Sequence, residues 1–204
     1  MQSFSEIDTT SKRASKAAGF AWGIAEEIGK NMRNLEMFGL PGIKNLNLYL
    51  QKIKKTPTEK LKKIEKKNKP KSKEFCPIYC GTAFLDNCKK LETLKLIKFF
   101  NVSYPLLFLP FLSRASDIVG KKISVKYEKN NFLLNFDKTI FSNNINNDKV
   151  VSKAKKISIE FLKNNNSFSL KEWKKLYKLS EETFVKETDS SKKKGAGAGL
   201  TDND

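Results

Sequence analysis

The sequence contains no histidine, and this absence excludes several kinds of chemistry at once. A Ser-His-Asp or Cys-His catalytic centre, a zinc site with imidazole ligands and a histidine pH switch all need that side chain. Only 3 cysteines are present, an odd number that argues against a disulfide framework. The spacing of Cys76, Cys80 and Cys88 matches neither a CxxC redox centre nor a zinc knuckle. We therefore expect free, buried thiols and no metal or cofactor.

Arginine is also scarce. The 3 arginines, Arg13, Arg33 and Arg114, stand against 37 lysines and 18 asparagines. A guanidinium group binds carboxylates and phosphates through two parallel hydrogen bonds, whereas a lysine ammonium is a point charge. An excess of lysine and asparagine is typical of compositional drift in an A+T-rich genome. We therefore attribute about half of the net charge of +18 to composition rather than to function.

Long hydrophobic runs are absent as well. The longest, Tyr104 to Leu112, is about half of what a membrane-spanning helix needs. The first residues lack the apolar segment of a secretory signal. These features predict a cytoplasmic protein with no membrane partner.

The chain does have enough apolar residues for a core, since 39% of its 204 residues are hydrophobic. We expect one domain overall, in which four regions differ in composition. Residues 52–73 hold 11 lysines and only two acidic residues, Glu59 and Glu65. The regions are an N-terminal helical segment (1–53), an exposed Lys-rich loop or linker (54–74), an α+β core (75–188) and a Gly-Ala tail (189–204).

Three helices are predicted in the first region, and strands dominate the third. The first helix has capping-box spacing between Ser5 and Asp8, and the second is typical of an amphipathic helix. The last predicted helix begins at Ser169, and Glu172 completes its capping box. The helices cover about 5–18, 20–38 and 43–53; the strands cover 102–112, 123–127, 132–136 and 157–161, with a turn at Asn130-Asn131.

This order of elements predicts an α+β fold. N-terminal helices precede a small, mostly antiparallel sheet, and a C-terminal helix and Gly-Ala tail follow it. No alternation of strand and helix suggests a doubly wound parallel sheet. The run 102–112 is expected to be a strand buried on both faces.

Two segments resemble a known family. The block GFAWGIAEEIGKNMRNLEMFGLPG and the terminus GAGAGLTDND are similar to the two ends of an uncharacterised bacterial family, a domain of unknown function. In that family a helix of the form GxxWGxAEExG opens the protein and a glycine-alanine tail closes it. The resemblance does not include the Lys-rich segment, and it implies no particular activity.

The back of the second helix is the first candidate site. Trp22 and Arg33 fall opposite its apolar stripe, with Gly29 leaving a notch between them. This arrangement suggests a site for a small carboxylate or phosphate ligand. The alternative is that Trp22 packs elsewhere on the chain and Glu26 forms a structural ion pair. If the protein is an enzyme, Glu26 or Glu27 is the candidate general base.

The Gly-Ala tail is the second candidate. Its backbone N–H groups could approach an anion closely, and we expect the tail to lie against Trp22. The tail candidates for binding an anion are Lys194, Gly195, Gly197 and Gly199, with Asp202 and Asp204 as alternative cation ligands. A free polar tail is the other interpretation. Arg114 and Asp117 are secondary candidates because they follow the run 102–112, although a simple ion pair would also explain them.

Three functions remain open on these grounds. The first is binding of a small anionic ligand, or service as an accessory subunit in a small-molecule pathway. The second is sequence-independent nucleic-acid binding through Lys52–Lys73, which lacks the interleaved aromatic residues that stack on bases. The third is docking of a protein partner on the second helix. Whether the protein is an enzyme stays undecided.

Overall fold

A computed structural model describes residues 2–61, 63–71, 73–135, 137–143 and 150–184. The chain divides into two compact units, Met1–Asn164 and Asn165–Asp204. The first unit is an α+β structure, as the sequence predicts. Its helices are α1 (Phe4–Ala17), α2 (Trp22–Met37), α3 (Gly42–Lys55), α4 (Pro77–Leu91) and α5 (Leu109–Val119). Its strands are β1 (Lys67–Asn68), β2 (Leu96–Ser103), β3 (Ile123–Tyr127), β4 (Asn130–Leu134), β5 (Ile140–Ser142) and β6 (Lys153–Phe161).

The strands form a sheet in the order β1-β2-β6-β3-β4-β5. All neighbours are antiparallel except β1 and β2. Alternate residues of the strands are buried in the core, among them Phe99, Val125 and Ile159. The residues between them, including Lys98, Lys126 and Glu160, are exposed or half-buried. One face of the sheet therefore packs against the core and the other is open, which is common for antiparallel sheets.

The helices start and stop for identifiable reasons. In α1 the capping box is formed by Ser3 and Glu6, two residues earlier than predicted: the Ser3 hydroxyl accepts from the Glu6 amide, and the Glu6 carboxylate accepts from the Ser3 amide. After α2, Gly39 adopts φ of +66°, which ends the helix at little steric cost. The short connection, in which Leu40 is buried in the core, leads into α3.

The run 102–112 is not a strand. β2 ends at Ser103, Tyr104 adopts a left-handed conformation, and Pro105 begins a short 3-10 turn that leads into α5. Pro110 lies in the first turn of α5, where a proline costs no backbone hydrogen bond. A continuous apolar run is compatible with either a buried strand or a buried helix, so periodicity alone could not decide.

The predicted hairpin is confirmed as β3 and β4, with Val125 opposite Phe132. Its turn is formed by Glu128 and Lys129, and Glu128 has φ of +50°. The prediction of a turn at Asn130-Asn131 is therefore wrong by two residues. Both asparagines belong to β4.

Helix α4 was not predicted from the sequence. Cys76 caps it, because its Sγ accepts a hydrogen bond from the Tyr79 amide, and Pro77 occupies the first turn. Its packed face includes Gly81, Phe84 and Cys88, a spacing of three to four residues that signals a helix. The three thiols are free and buried.

The second unit contains α6 (Leu170–Ser180). Ser169 and Glu172 form its capping box, as predicted. Its apolar side chains, including Trp173 and Tyr177, are exposed. No helix in the described ranges is long and apolar enough to cross a membrane.

Candidate functional site: an arginine-lined cleft

Two of the three arginines line one cleft in the first unit. Arg33 lies near the end of α2, and Arg114 lies in α5. The two helices pack against each other, and the cleft between them has a volume of about 580 Å³. The other lining residues come from α1, α2, α5 and the connection between β4 and β5: Asp8, Lys30, Asn31, Asn34, Met37, Phe38, Pro110, Asp137 and Lys138.

Three of the six charged side chains that line this cleft, Lys30, Arg114 and Lys138, are in ion pairs. Arg114 forms an ion pair with Glu27, which also accepts a hydrogen bond from Lys30 at 3.1 Å. Lys138 pairs with Asp117 at 3.2 Å. Arg33, like the lining carboxylates Asp8 and Asp137, has no oppositely charged partner within 4.0 Å in the described part of the chain. Arg33 is an exposed residue.

Asn31 adds a buried donor to the same cleft. Its side chain is 1% exposed, and its Nδ2 has no hydrogen-bond partner among the described residues. The Nε of Arg114 is also buried without a partner in that part of the chain. A buried polar group without a partner costs about 1–3 kcal/mol, so two such donors at one cleft are unusual. Asn34, which also lines the cleft, has a buried Oδ1 without a partner in the same part of the chain.

Glu27 is held ionised by its partners. Burial raises the pKa of its carboxyl group, but hydrogen bonds from Arg114 and Lys30 outweigh burial, and the net pKa is lowered from 4.5. A carboxylate with a lowered pKa is a poor general base at neutral pH. Glu27 is instead the ion-pair partner of Arg114. The neighbouring candidate, Glu26, is exposed and does not line the cleft.

The Glu27 pairing predicts a pH-dependent contribution to stability. Because the folded-state pKa lies below the unfolded value of about 4.5, the contribution is present above that pH and is lost as the pH falls through the folded pKa. We expect the free energy of unfolding to decrease below about pH 4.5, and to decrease less in Glu27→Gln. Urea unfolding at several pH values measures this. Glu26→Gln is the matched control. The prediction would be contradicted if the free energy of unfolding of Glu27→Gln decreased with falling pH as steeply as that of the wild type.

The structure separates two residues that the sequence grouped with Arg33. Trp22 is 55% exposed, with the Lys16 ammonium 5.4 Å from the centre of its ring, and it does not line the cleft. Trp22 and Arg33 are eleven residues apart on one helix, or about 16 Å along its axis. The predicted notch at Gly29 is filled by α1, because a Cβ there would lie 2.7 Å from the Asp8 carbonyl oxygen. One small ligand cannot use all three positions.

The tail candidates lie outside the described residues. These are Lys194, Gly195, Gly197, Gly199, Asp202 and Asp204, together with the proposed contact between the tail and Trp22. The two secondary candidates, Arg114 and Asp117, are both at or beside the cleft through their ion pairs. No cluster of three or more His, Cys, Asp or Glu side chains that could hold a metal ion occurs among the residues that the structure describes.

Sequence reasoning missed Asn31, Lys30 and Lys138 as members of the site. Asn31 lies on the buried side of α2, and the helix spacing that places it beside Lys30 and Asn34 was available in the sequence. The sequence did not show that Asn31 shares a cleft with α5, because α5 was predicted as a strand. Lys138 comes from a connection between strands and carried no local signal.

The fold and the cleft define an α+β protein with a surface cleft lined by four basic and two acidic side chains. Residues 2–75 match the model of a family described as a protein of unknown function (DUF3726), which confirms the resemblance to an uncharacterised family for a little over a third of the chain. The match includes the Lys-rich segment, which the sequence resemblance had left out. No curated protein and no solved structure matches the chain significantly.

Proposed function

We propose that the protein binds a small anion, a carboxylate or a phosphate, in the cleft between Arg33 and Arg114. The observation that carries the proposal is that two of only 3 arginines meet in one cleft of a chain with 37 lysines. Compositional drift accounts for scattered lysines. It does not account for two guanidinium groups brought together from α2 and α5.

The chemistry of the cleft supports an anion of small size. A guanidinium group can hold two oxygens of a carboxylate or phosphate at once. Arg33 is available for this contact, while Glu27 holds Arg114 in place. Asn31 lines the cleft, and a shift of its side chain would let its buried Nδ2, which has no partner among the described residues, donate to a ligand oxygen. A volume of about 580 Å³ is in the range of small-molecule sites.

The proposal also includes the location of the protein and its role in the cell. The sequence resemblance is to a bacterial family, and the hypothesis drawn from the sequence is a cytoplasmic protein that serves as a ligand-binding or accessory subunit in a small-molecule pathway. An anion site without a well-placed general base agrees better with binding than with turnover, because Glu27 is occupied by its two cationic partners.

Calorimetric titration with inorganic phosphate and with citrate tests the proposal at constant ionic strength. We expect the wild type to bind at least one of the two anions, and Arg33→Gln to bind it about 10- to 100-fold more weakly, because one charge-assisted hydrogen bond is removed. Arg13→Gln is the matched control, because Arg13 is an arginine on α1 that does not line the cleft.

Asn31→Leu separates binding from folding. Removing a buried donor that lacks a partner should leave the free protein equally stable or more stable, while the anion binds more weakly. Equal anion affinities in Arg33→Gln, Arg13→Gln and the wild type would overturn the proposal, as would binding of neither anion.

A further inference from the structure

The open face of the sheet carries a row of lysines. β1, β2 and β3 each place one lysine on this face, at Lys67, Lys98 and Lys126. The strand register aligns them: Lys67 is opposite Lys98, and Ser158 of β6 lies between Lys98 and Lys126. With strands about 4.8 Å apart, the row spans about 14 Å.

Few acidic groups balance this row. Glu160 is the acidic residue that β6 contributes to the open face, and it lies two positions beyond Ser158, outside the row. Lys67, Lys98 and Lys126 form no ion pair in the described ranges. Like charges aligned across a sheet repel one another, so the row favours a partner that brings negative charge at regular intervals.

An aromatic ring lies beside the lysine row. Phe100 is half-buried on β2, two residues after Lys98, and Lys156 is opposite it on β6. The Lys69 ammonium is 5.3 Å from the centre of the Phe100 ring. The Lys-rich segment between Lys52 and Lys73 has no aromatic residue of its own. The sheet supplies one, because β1 pairs with β2 and Lys69 of the segment lies over this ring.

The basic surface continues past Phe100. Asn101, the next residue of β2, lines a second cleft of about 390 Å³ together with Lys71 and Lys73. Glu74 in that cleft is engaged by Lys52 at 2.5 Å and by Lys153 at 3.6 Å. The Lys71 backbone amide donates to the Glu59 carboxylate at 2.9 Å, but the ammonium groups of Lys71 and Lys73 form no ion pair among the residues that the structure describes. Ammonium groups without an ion pair therefore extend from the sheet face to its edge.

We infer that the open face of this sheet binds single-stranded nucleic acid. The lysine row contacts the phosphates, and a base stacks on Phe100 in place of the Lys69 ammonium, which then contacts the backbone. A chain of phosphates with exposed bases satisfies both features, since lysines give sequence-independent attraction and an aromatic ring gives stacking. An acidic peptide would use the lysines but not the ring. This site is distinct from the arginine-lined cleft and uses none of its residues.

Fluorescence anisotropy with a labelled oligothymidylate tests the inference on the full chain. We expect binding at low salt that weakens as salt rises. Lys98→Gln/Lys126→Gln should bind more weakly, and the slope of log affinity against log salt should become shallower by about 1.4, which is about 0.7 for each lysine that no longer neutralises a phosphate. Lys89→Gln/Lys90→Gln, two exposed lysines at the end of α4, is the control with the same change of charge.

Phe100→Leu isolates the stacking interaction. It keeps the charge and an apolar side chain, and the affinity for the oligonucleotide should fall about 5- to 100-fold with an unchanged salt slope. Its melting temperature shows whether the variant is folded. Equal loss of affinity in both lysine double variants, or no effect of Phe100→Leu in a folded protein, would overturn the inference, as would tighter binding of an acidic peptide of equal charge. Arg33→Gln should bind the oligonucleotide like the wild type, so failure of either proposal can be told from failure of the other.

Discussion

Gly81→Ala is expected to destabilise the protein by about 2–3 kcal/mol, although alanine is the better helix former by about 1 kcal/mol. Gly81 is buried in α4 where that helix packs on α5. A Cβ at this position would overlap the ring of Phe111, which is fully buried. Since the ring has no free space to move into, the helices must separate or the ring must leave its position. Urea unfolding at neutral pH measures the decrease in stability.

Gly23→Ala is the matched control for this substitution. Gly23 lies in the first turn of α2, and a Cβ there would meet nothing within 4 Å. We expect its stability to be unchanged or slightly raised, because alanine restricts the unfolded chain. Phe111→Leu in the Gly81→Ala background should recover part of the stability, since the two positions are in contact. Equal stabilities of Gly81→Ala and Gly23→Ala would contradict the packing of α4 on α5.

Asn68→Ala is expected to cost about 2 kcal/mol, an effect that the composition of the Lys-rich segment does not suggest. Asn68 is 4% exposed. Its Oδ1 accepts from the Glu65 amide at 2.9 Å, and its Nδ2 donates to the carbonyl oxygens of Glu65 at 2.7 Å and Lys98 at 3.1 Å. The substitution removes all three hydrogen bonds and takes one donor away from the Lys98 carbonyl of β2. Thermal unfolding measures the effect.

Lys67→Ala, one residue earlier on β1, is the control for Asn68→Ala. Its side chain is exposed on the open face, so its removal should change stability by less than about 0.5 kcal/mol. If both variants unfold at the temperature of the wild type, the segment is an exposed loop that the core does not need. If Asn68→Ala alone is destabilised, the segment is tied to the sheet and cannot be replaced by a flexible linker without a decrease in stability.

The sequence predicted most elements that have a clear period or a cap. The second helix, the hairpin of β3 and β4, and the capping box at Ser169 and Glu172 were all found this way. The errors fall on the buried centre of the chain. There α4 was missed and α5 was taken for a strand, because a segment that is apolar on every side shows neither the helical nor the strand period.

The candidate site was predicted in part. Arg33 and Arg114 were both named from the sequence, but on separate grounds, and nothing in the sequence placed them in one cleft. Trp22 and Arg33 were grouped because they share one side of a helix, yet the length of the helix separates them. A helical wheel gives the direction of a side chain but not its height along the axis or the helix that covers it. For that reason the sequence could not show that Asp8 of α1 lies against Gly29.

By itself the sequence determined the fold class, the open and packed sides of most elements, and the scarcity of arginine against abundant lysine. These properties are local, since they depend on residues a few positions apart. Only the tertiary structure decided which charges meet: Glu27 holds Arg114, Lys67 lies beside Lys98, and Lys69 lies over Phe100. The two members of each pair are far apart in the sequence, and their meeting depends on how the helices and strands pack around a shared core, which no short-range pattern specifies.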